Sequence, residues 1–159
     1  MPFTPFHFGP GLLLKGAGPR HVSLTAFIAT QVVVDLESLY FILRGEYPVH
    51  RWVHTVWVAG AVGLAVGAAV GARARRWTTA AAPALRDDLG MGAALVGGLL
   101  GGVSHPLLDG LMHRDVRALR PFAEITWVLE PGGVAALHLG CTIAGVLGAF
   151  LLVARRARA

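Results

Sequence analysis

The stretch Gly101 to Asp115, GGVSHPLLDGLMHRD, places His105, Asp109 and His113 at four-residue intervals inside an otherwise apolar segment. On an α-helix these three side chains share one face, one turn apart. The apolar run that leads into them, Leu89 to Leu108, is long enough to cross a bilayer at ~1.5 Å per residue. His105 is thereby expected inside the membrane and Asp109 near its edge, where an ionisable residue marks a functional site by default. A histidine nitrogen and a carboxylate oxygen one turn apart can face the same ion, as a zinc or manganese site requires. The same spacing also serves a polar pair that only holds helices together.

The rest of the chain agrees with a membrane setting. Its 159 residues are read as one domain, 1–159, and 55% hydrophobic residues, 21 glycines and a mean hydropathy of +0.61 are not those of a soluble domain. The net charge of +5 comes from 14 basic residues, of which only Lys15 is lysine, clustered between apolar runs. That pattern suits topology signals and phosphate contacts, and nucleic-acid binding is not expected. A lone cysteine, Cys141, excludes an internal disulfide framework and a thiolate metal cluster. The opening MPFTPFHFGP has no basic region ahead of an apolar core and no small-residue cleavage site, so no signal peptide is expected.

Hydropathy divides the chain into four spans and a shorter piece. Phe6 to Leu14 is apolar but too short to cross, and Pro5, Pro10 and Pro19 bound it, so it is read as a half-helix. Full spans are expected over Val22 to Leu43, Trp52 to Ala72, Leu89 to Leu108 and Gly133 to Val153. The fold class is therefore an all-α integral membrane bundle of four spanning helices plus a short N-terminal half-helix. Gly63, Gly67 and Gly71, and likewise Ala94, Gly98 and Gly102, form small-residue ridges for close helix packing. Pro106 removes the helical donor for the Gly102 carbonyl and is expected to kink or open the helix beside His105. The segment from Trp77 to Asp88 is read as a polar linker. Arg73, Arg75, Arg76, Arg155, Arg156 and Arg158, with Lys15 and Arg20, mark one face as cytoplasmic, although Arg44, Arg51, Arg114, Arg117 and Arg120 make the opposite loops basic as well. Trp77 suits one interface, and Trp52 and Trp127 the other.

Counting upward from the basic turns puts His7, Asp35, His105 and His138 in one layer, roughly 12 to 25 Å up, with His54 somewhat higher. Inward histidines and carboxylates in a bundle core are an established way to build a metal site. Asp35 needs a metal, a histidine or an arginine, because an unpaired carboxylate within a span costs several kcal/mol. Glu37 points about 200° away from it on a helix, so Asp35 is preferred. His50 and His113 stand one turn from His54 and Asp109, where they either back the ligands or are simply solvated. His138 is open among a ligand, a supporting residue and a helix–helix hydrogen bond. His21 and Glu46 read as surface residues.

Taken in order, His7, Asp35, HRWVHT (His50 to Thr55) and HPLLD (His105 to Asp109) resemble the bacterial and archaeal inner-membrane metal-dependent hydrolases, a family distantly similar to zinc-dependent phospholipase C and the zinc single-strand nucleases. The opening MPFTPFHFGPGLLL adds to the likeness, which covers most of the chain. The resemblance implies a zinc site in which Asp35, His54, His105 and Asp109 hold one ion, with His7 and Asp109 helping to hold a second. The phospholipases carry a further His-x-x-x-Glu pair that is missing here, so one or two ions are implied rather than three.

The reading is a metal-dependent hydrolase of the cytoplasmic membrane acting on phosphoesters such as lipid headgroups. Asp35 or Asp109 would take up the proton of an activated water, and Arg51, Arg114 and Arg117 would bind the phosphate. Three alternatives stand beside it: a metal-binding protein without turnover, a haem-binding bundle using His54 and His138, and a scaffold whose polar core only fixes helix packing. Oligomeric state is left open.

Overall fold

A computed structural model describes residues 5–77 and 83–157; Arg158 and the side chains of Arg75, Arg76 and Trp77, on which part of the charge bias rests, lie outside the described residues. Among the described residues the chain is all-helical, with no strands. A 3-10 turn over Pro5–His7 leads into α1 (Phe8–Ala17), followed by α2 (Leu24–Leu43), α3 (Val56–Trp77), α4 (Pro83–Leu89), α5 (Met91–Met112) and α6 (Pro131–Arg156). Four of these, α2, α3, α5 and α6, are long and apolar enough to cross a membrane. The short α1 is the half-helix expected at the N-terminal side.

Glycine decides which helices pair. A Cβ on Gly63 would strike the Gly98 carbonyl, one on Gly67 the Ala94 carbonyl, and one on Gly102 the Ala59 carbonyl. The two ridges read from the sequence therefore pack on each other, backbone against backbone, as an antiparallel α3–α5 pair. The same device joins α1 to α6 in parallel. Gly9 lies against the Cys141 backbone and Gly16 against Gly148, a pairing the sequence shows less plainly because proline and lysine interrupt α1. α6 is buried only at Cys141 and Gly148. Leu139, Ile143, Val146, Leu147, Phe150 and Val153 stay exposed on its outer side, an apolar face suited to lipid.

Three expectations change. α3 starts at Val56 rather than Trp52, because residues 52–55 close a turn in which the Thr55 hydroxyl donates to the Trp52 carbonyl at 2.9 Å. α5 continues through Pro106 to Met112, so of the kink or opening expected beside His105 the opening does not occur. The linker after Trp77 contains α4, whose Asp88 sits on the first turn of α2: its carboxylate accepts from the Leu24 amide at 2.8 Å and the Thr25 amide at 3.3 Å. Anions are favoured at that end of a helix. Buried Lys15 completes the arrangement 2.8 Å from Asp88. This cluster gathers α1, α2 and α4 at the arginine-rich end of the bundle. The ionisable layer lies toward the other end.

Candidate metal centre

Four pieces of chain supply that layer. His7 ends the 3-10 turn where α1 begins, roughly 15 Å above the basic end at ~1.5 Å per residue. Asp35 lies on α2 and His105 and Asp109 on α5, while His50 and His54 come from the loop that wraps the end of α2 before α3. His113 caps α5. The short α1 has a structural purpose here, because a full-length helix would carry His7 past the layer.

Asp35, His54, His105 and Asp109, all buried, bring one ligand atom each within 4.8 Å of one another and could hold a metal ion. His105 Nε2 is 3.2 Å from Asp35 Oδ1 and 3.2 Å from Asp109 Oδ2. His54 Nε2 is 3.9 Å from Asp35 Oδ1 and 3.6 Å from Asp109 Oδ2, with the Ser38 hydroxyl 3.3 Å away. A second group, His50, Asp109 and His113, meets the same distance criterion. His50 Nε2 lies 3.9 Å from Asp109 Oδ2, and His113 Nε2 lies 3.9 Å from Asp109 Oδ1. His7 Nε2 approaches Asp109 Oδ1 at 3.4 Å. Asp109 thus borders both groups.

The histidines are aimed by residues behind them. Nδ1 of His54 is 3.0 Å from Glu37 Oε2, and because a carboxylate only accepts, the proton sits on Nδ1 and leaves Nε2 with its lone pair toward Asp35 and Asp109. Nδ1 of His50 is likewise 2.9 Å from Asp115 Oδ2, and Nδ1 of His105 contacts the Gln31 side-chain oxygen. Each of these three rings therefore presents Nε2 inward. Metal-ligating histidines show this pattern, with the outer nitrogen committed to a carboxylate or carbonyl. Glu37 is itself fixed by the Arg51 and Val53 amides at 2.9 and 3.0 Å, and Asp115 by the Val49 and His50 amides at 3.1 and 3.2 Å.

The donor set also fits an ion on hydrogen-bonding grounds. Both ring nitrogens of His7, and Nε2 of His105, are buried with no hydrogen-bond partner. An unsatisfied buried polar atom costs about 1–3 kcal/mol. Nε2 of His7 and Nε2 of His105 lie against the carboxylates of Asp109 and, for His105, Asp35, where a cation would satisfy both together.

The remaining sequence-derived residues divide. His50 and His113 belong to the layer, whereas His138 does not: it stacks on Phe6 with ring centroids 4.4 Å apart and faces Met112 Sδ at 3.2 Å. A cavity of about 470 Å³ abuts the layer through His50 and Asp115 and is lined by Arg51, Arg114, Arg117 and Arg120. Arg51 is tied to Glu46 at 2.9 Å and lies 3.5 Å over the Phe41 ring. Arg117 donates to the Arg114 carbonyl at 2.6 Å. Arg120 pairs with Glu124 at 2.9 Å. Arg114 has no carboxylate partner among the described residues. Reading the sequence passes over Gln31 and Asp115, sets Glu37 aside in favour of Asp35, and takes Arg120 only as loop charge. Gln31 carries a usable signal, since it stands one turn before Asp35 on the same face. Glu37 does not, because the ring it orients arrives from a loop.

The chain matches no family model, no curated protein and no solved structure. The functional reading rests on this geometry and on the chemistry of its residues.

Proposed function

We propose that this protein is a membrane-embedded, zinc-dependent hydrolase of phosphoesters, with lipid headgroups as the natural substrates, and that it works in the cytoplasmic membrane alongside the inner-membrane metal-dependent hydrolases it resembles. The observation that carries the proposal is the adjacency of two features: inward-facing Nε2 atoms converging on Asp35 and Asp109, and an arginine-lined cavity that opens beside His50. Two histidines with two carboxylates suit zinc. The placement of Asp109 between both groups suits a second ion held with His50 and His113.

Asp35, His54, His105 and Asp109 would hold the zinc, whose Lewis acidity would bring the pKa of a water toward neutrality. The Asp35 oxygen not given to the ion would take up the proton of the attacking water as the new P–O bond forms and return it to the leaving oxygen as the ester P–O bond breaks. Arg114 and Arg117 hold the phosphate oxygens by charge-assisted hydrogen bonds. Glu37 and Gln31 keep the imidazoles in the tautomer the site needs.

A second reading, metal binding without turnover, draws on the burial of Asp35, His54, His105 and Asp109, since four buried donors are enough to close a tetrahedral site. Metal analysis of the detergent-purified protein, coupled to assays with phospholipid and with soluble aryl phosphodiesters, decides between the readings. One or two zinc ions per chain with hydrolysis, both lost in Asp109→Ala, support the hydrolase. Bound zinc with no turnover of any ester moves the assignment to metal binding, and a folded protein that takes up no metal overturns both.

A further inference from the structure

The opposite end of the bundle holds a larger cavity, of about 950 Å³, between the end of α1, the start of α2, α4 and the last turn of α6. Its walls are apolar, with Ile28, Leu85 and Leu152 among them, and its rim carries Arg20, Arg155 and Arg156. We propose that this cavity is a structural binding site for one anionic phospholipid, separate from the metal layer and independent of the hydrolase reading.

Charge and shape both select that ligand. The two acidic groups in the cavity are already engaged: Asp88 by Lys15 at 2.8 Å and Asp87 by Arg20 at 3.6 Å. Arg155 and Arg156 have no carboxylate partner among the described residues, and Arg155 reaches across to the Ala17 carbonyl at 3.3 Å. Two unneutralised guanidiniums at the end of a membrane-spanning helix suit a phosphate, which guanidinium binds by paired hydrogen bonds. Below them the wall is hydrocarbon, which a soluble phosphate would leave uncovered and an acyl chain would fill. α6 is seated on α1 through Gly9, Gly16 and Gly148, and its last turn, at Leu152, Arg155 and Arg156, lines the cavity opposite Leu24, Thr25 and Ile28 of α2.

The test is native mass spectrometry of the full-length protein in detergent, titrated with phosphatidylglycerol, with phosphatidylcholine or with inorganic phosphate. One phosphatidylglycerol per chain is expected to be retained at least tenfold more strongly than phosphatidylcholine. Arg155→Gln/Arg156→Gln is expected to remove that preference, and Arg44→Gln, at the other end of the bundle, to leave it intact. Equal retention of both lipids, displacement by inorganic phosphate, or the same loss in Arg44→Gln as in the double variant overturns the proposal. Should the double variant fold poorly, Ile28→Trp offers an independent check, since filling the cavity is expected to abolish retention with every arginine in place.

Discussion

Glu37 Oε2 holds His54 Nδ1 at 3.0 Å while the same carboxylate group accepts two backbone amides of the His50–Thr55 loop. One side chain on α2 therefore fixes the ring's tautomer and the loop that delivers the ring. Glu37→Gln keeps the shape but offers an amide that forms these bonds less well. Removing such an outer partner typically lowers metal affinity 10- to 100-fold. Competition with a zinc-binding dye is expected to show a loss of that size, with zinc stoichiometry at saturation unchanged.

His113 and His138 make opposite predictions although both are histidines near helix ends. His113→Ala removes a donor beside Asp109 and is expected to lower the zinc count from two to one. His138 meets Phe6 and Met112 rather than the Asp109 group, so His138→Ala is expected to leave the count unchanged. Elemental analysis of the two purified variants checks both, and a drop in the His138 variant would contradict the arrangement described.

Gly98 meets the backbone of Gly63 with no room for a Cβ. Gly98→Leu forces the α3–α5 pair apart, and overpacking of this kind costs about 1–3 kcal/mol. Thermal unfolding in detergent is expected at a clearly lower temperature. Gly92, where a Cβ would meet nothing, provides the control: Gly92→Ala is expected to unfold at or slightly above the wild-type temperature.

Asp88 gives the bundle an acid dependence of known sign. Burial alone would raise its pKa, but the Lys15 ammonium, the Thr25 side chain and the Leu24 amide outweigh that and hold the carboxyl below its ordinary value. A carboxylate with a depressed folded pKa contributes stability above its unfolded value of about 3.9 and loses it as pH falls through the folded one. Asp88→Asn is therefore expected to be less stable than wild type at pH 7, with the gap closing at pH values below about 4. A gap that stays constant down to pH 2 would count against the assignment.

Arg114 and Arg117 are predicted to act on substrate rather than on metal. Arg114→Gln with Arg117→Gln is expected to raise KM for a phosphodiester at least tenfold while zinc content holds. Zinc lost together with activity would tie the arginines to the fold instead.

Much of this arrangement was legible in the residues. Four apolar runs and two glycine ridges define the bundle because lipid leaves a helix little choice but to satisfy its own backbone and pack through small residues. Depth brought His7, Asp35 and His105 to one level, since helical rise converts residue number into height, but it counted in His138 as well, which stacks on Phe6 instead. What stayed hidden depends on lateral geometry. Glu37 and Asp35 differ by a rotation that helical periodicity assigns to separate faces, and a loop alone brings His54 between them. Asp88 lay in a segment without periodicity, so its place on the first turn of α2 had no signature. Pro106 was expected to kink or open α5, and the helix is continuous through it.

The contact between α3 and α5 bears on the ion cage in another way. His54 enters just ahead of α3, and His105 and Asp109 sit on α5, so the width of the cage is measured across a seam where main chain touches main chain. Side chains in most bundles act as compliant spacers, and a cage spanning such a spacer widens or narrows as rotamers change. Here no spacer exists. The separation of His54 from His105 and Asp109 is therefore set by the van der Waals radius of the peptide backbone at Gly63, Gly67 and Gly102.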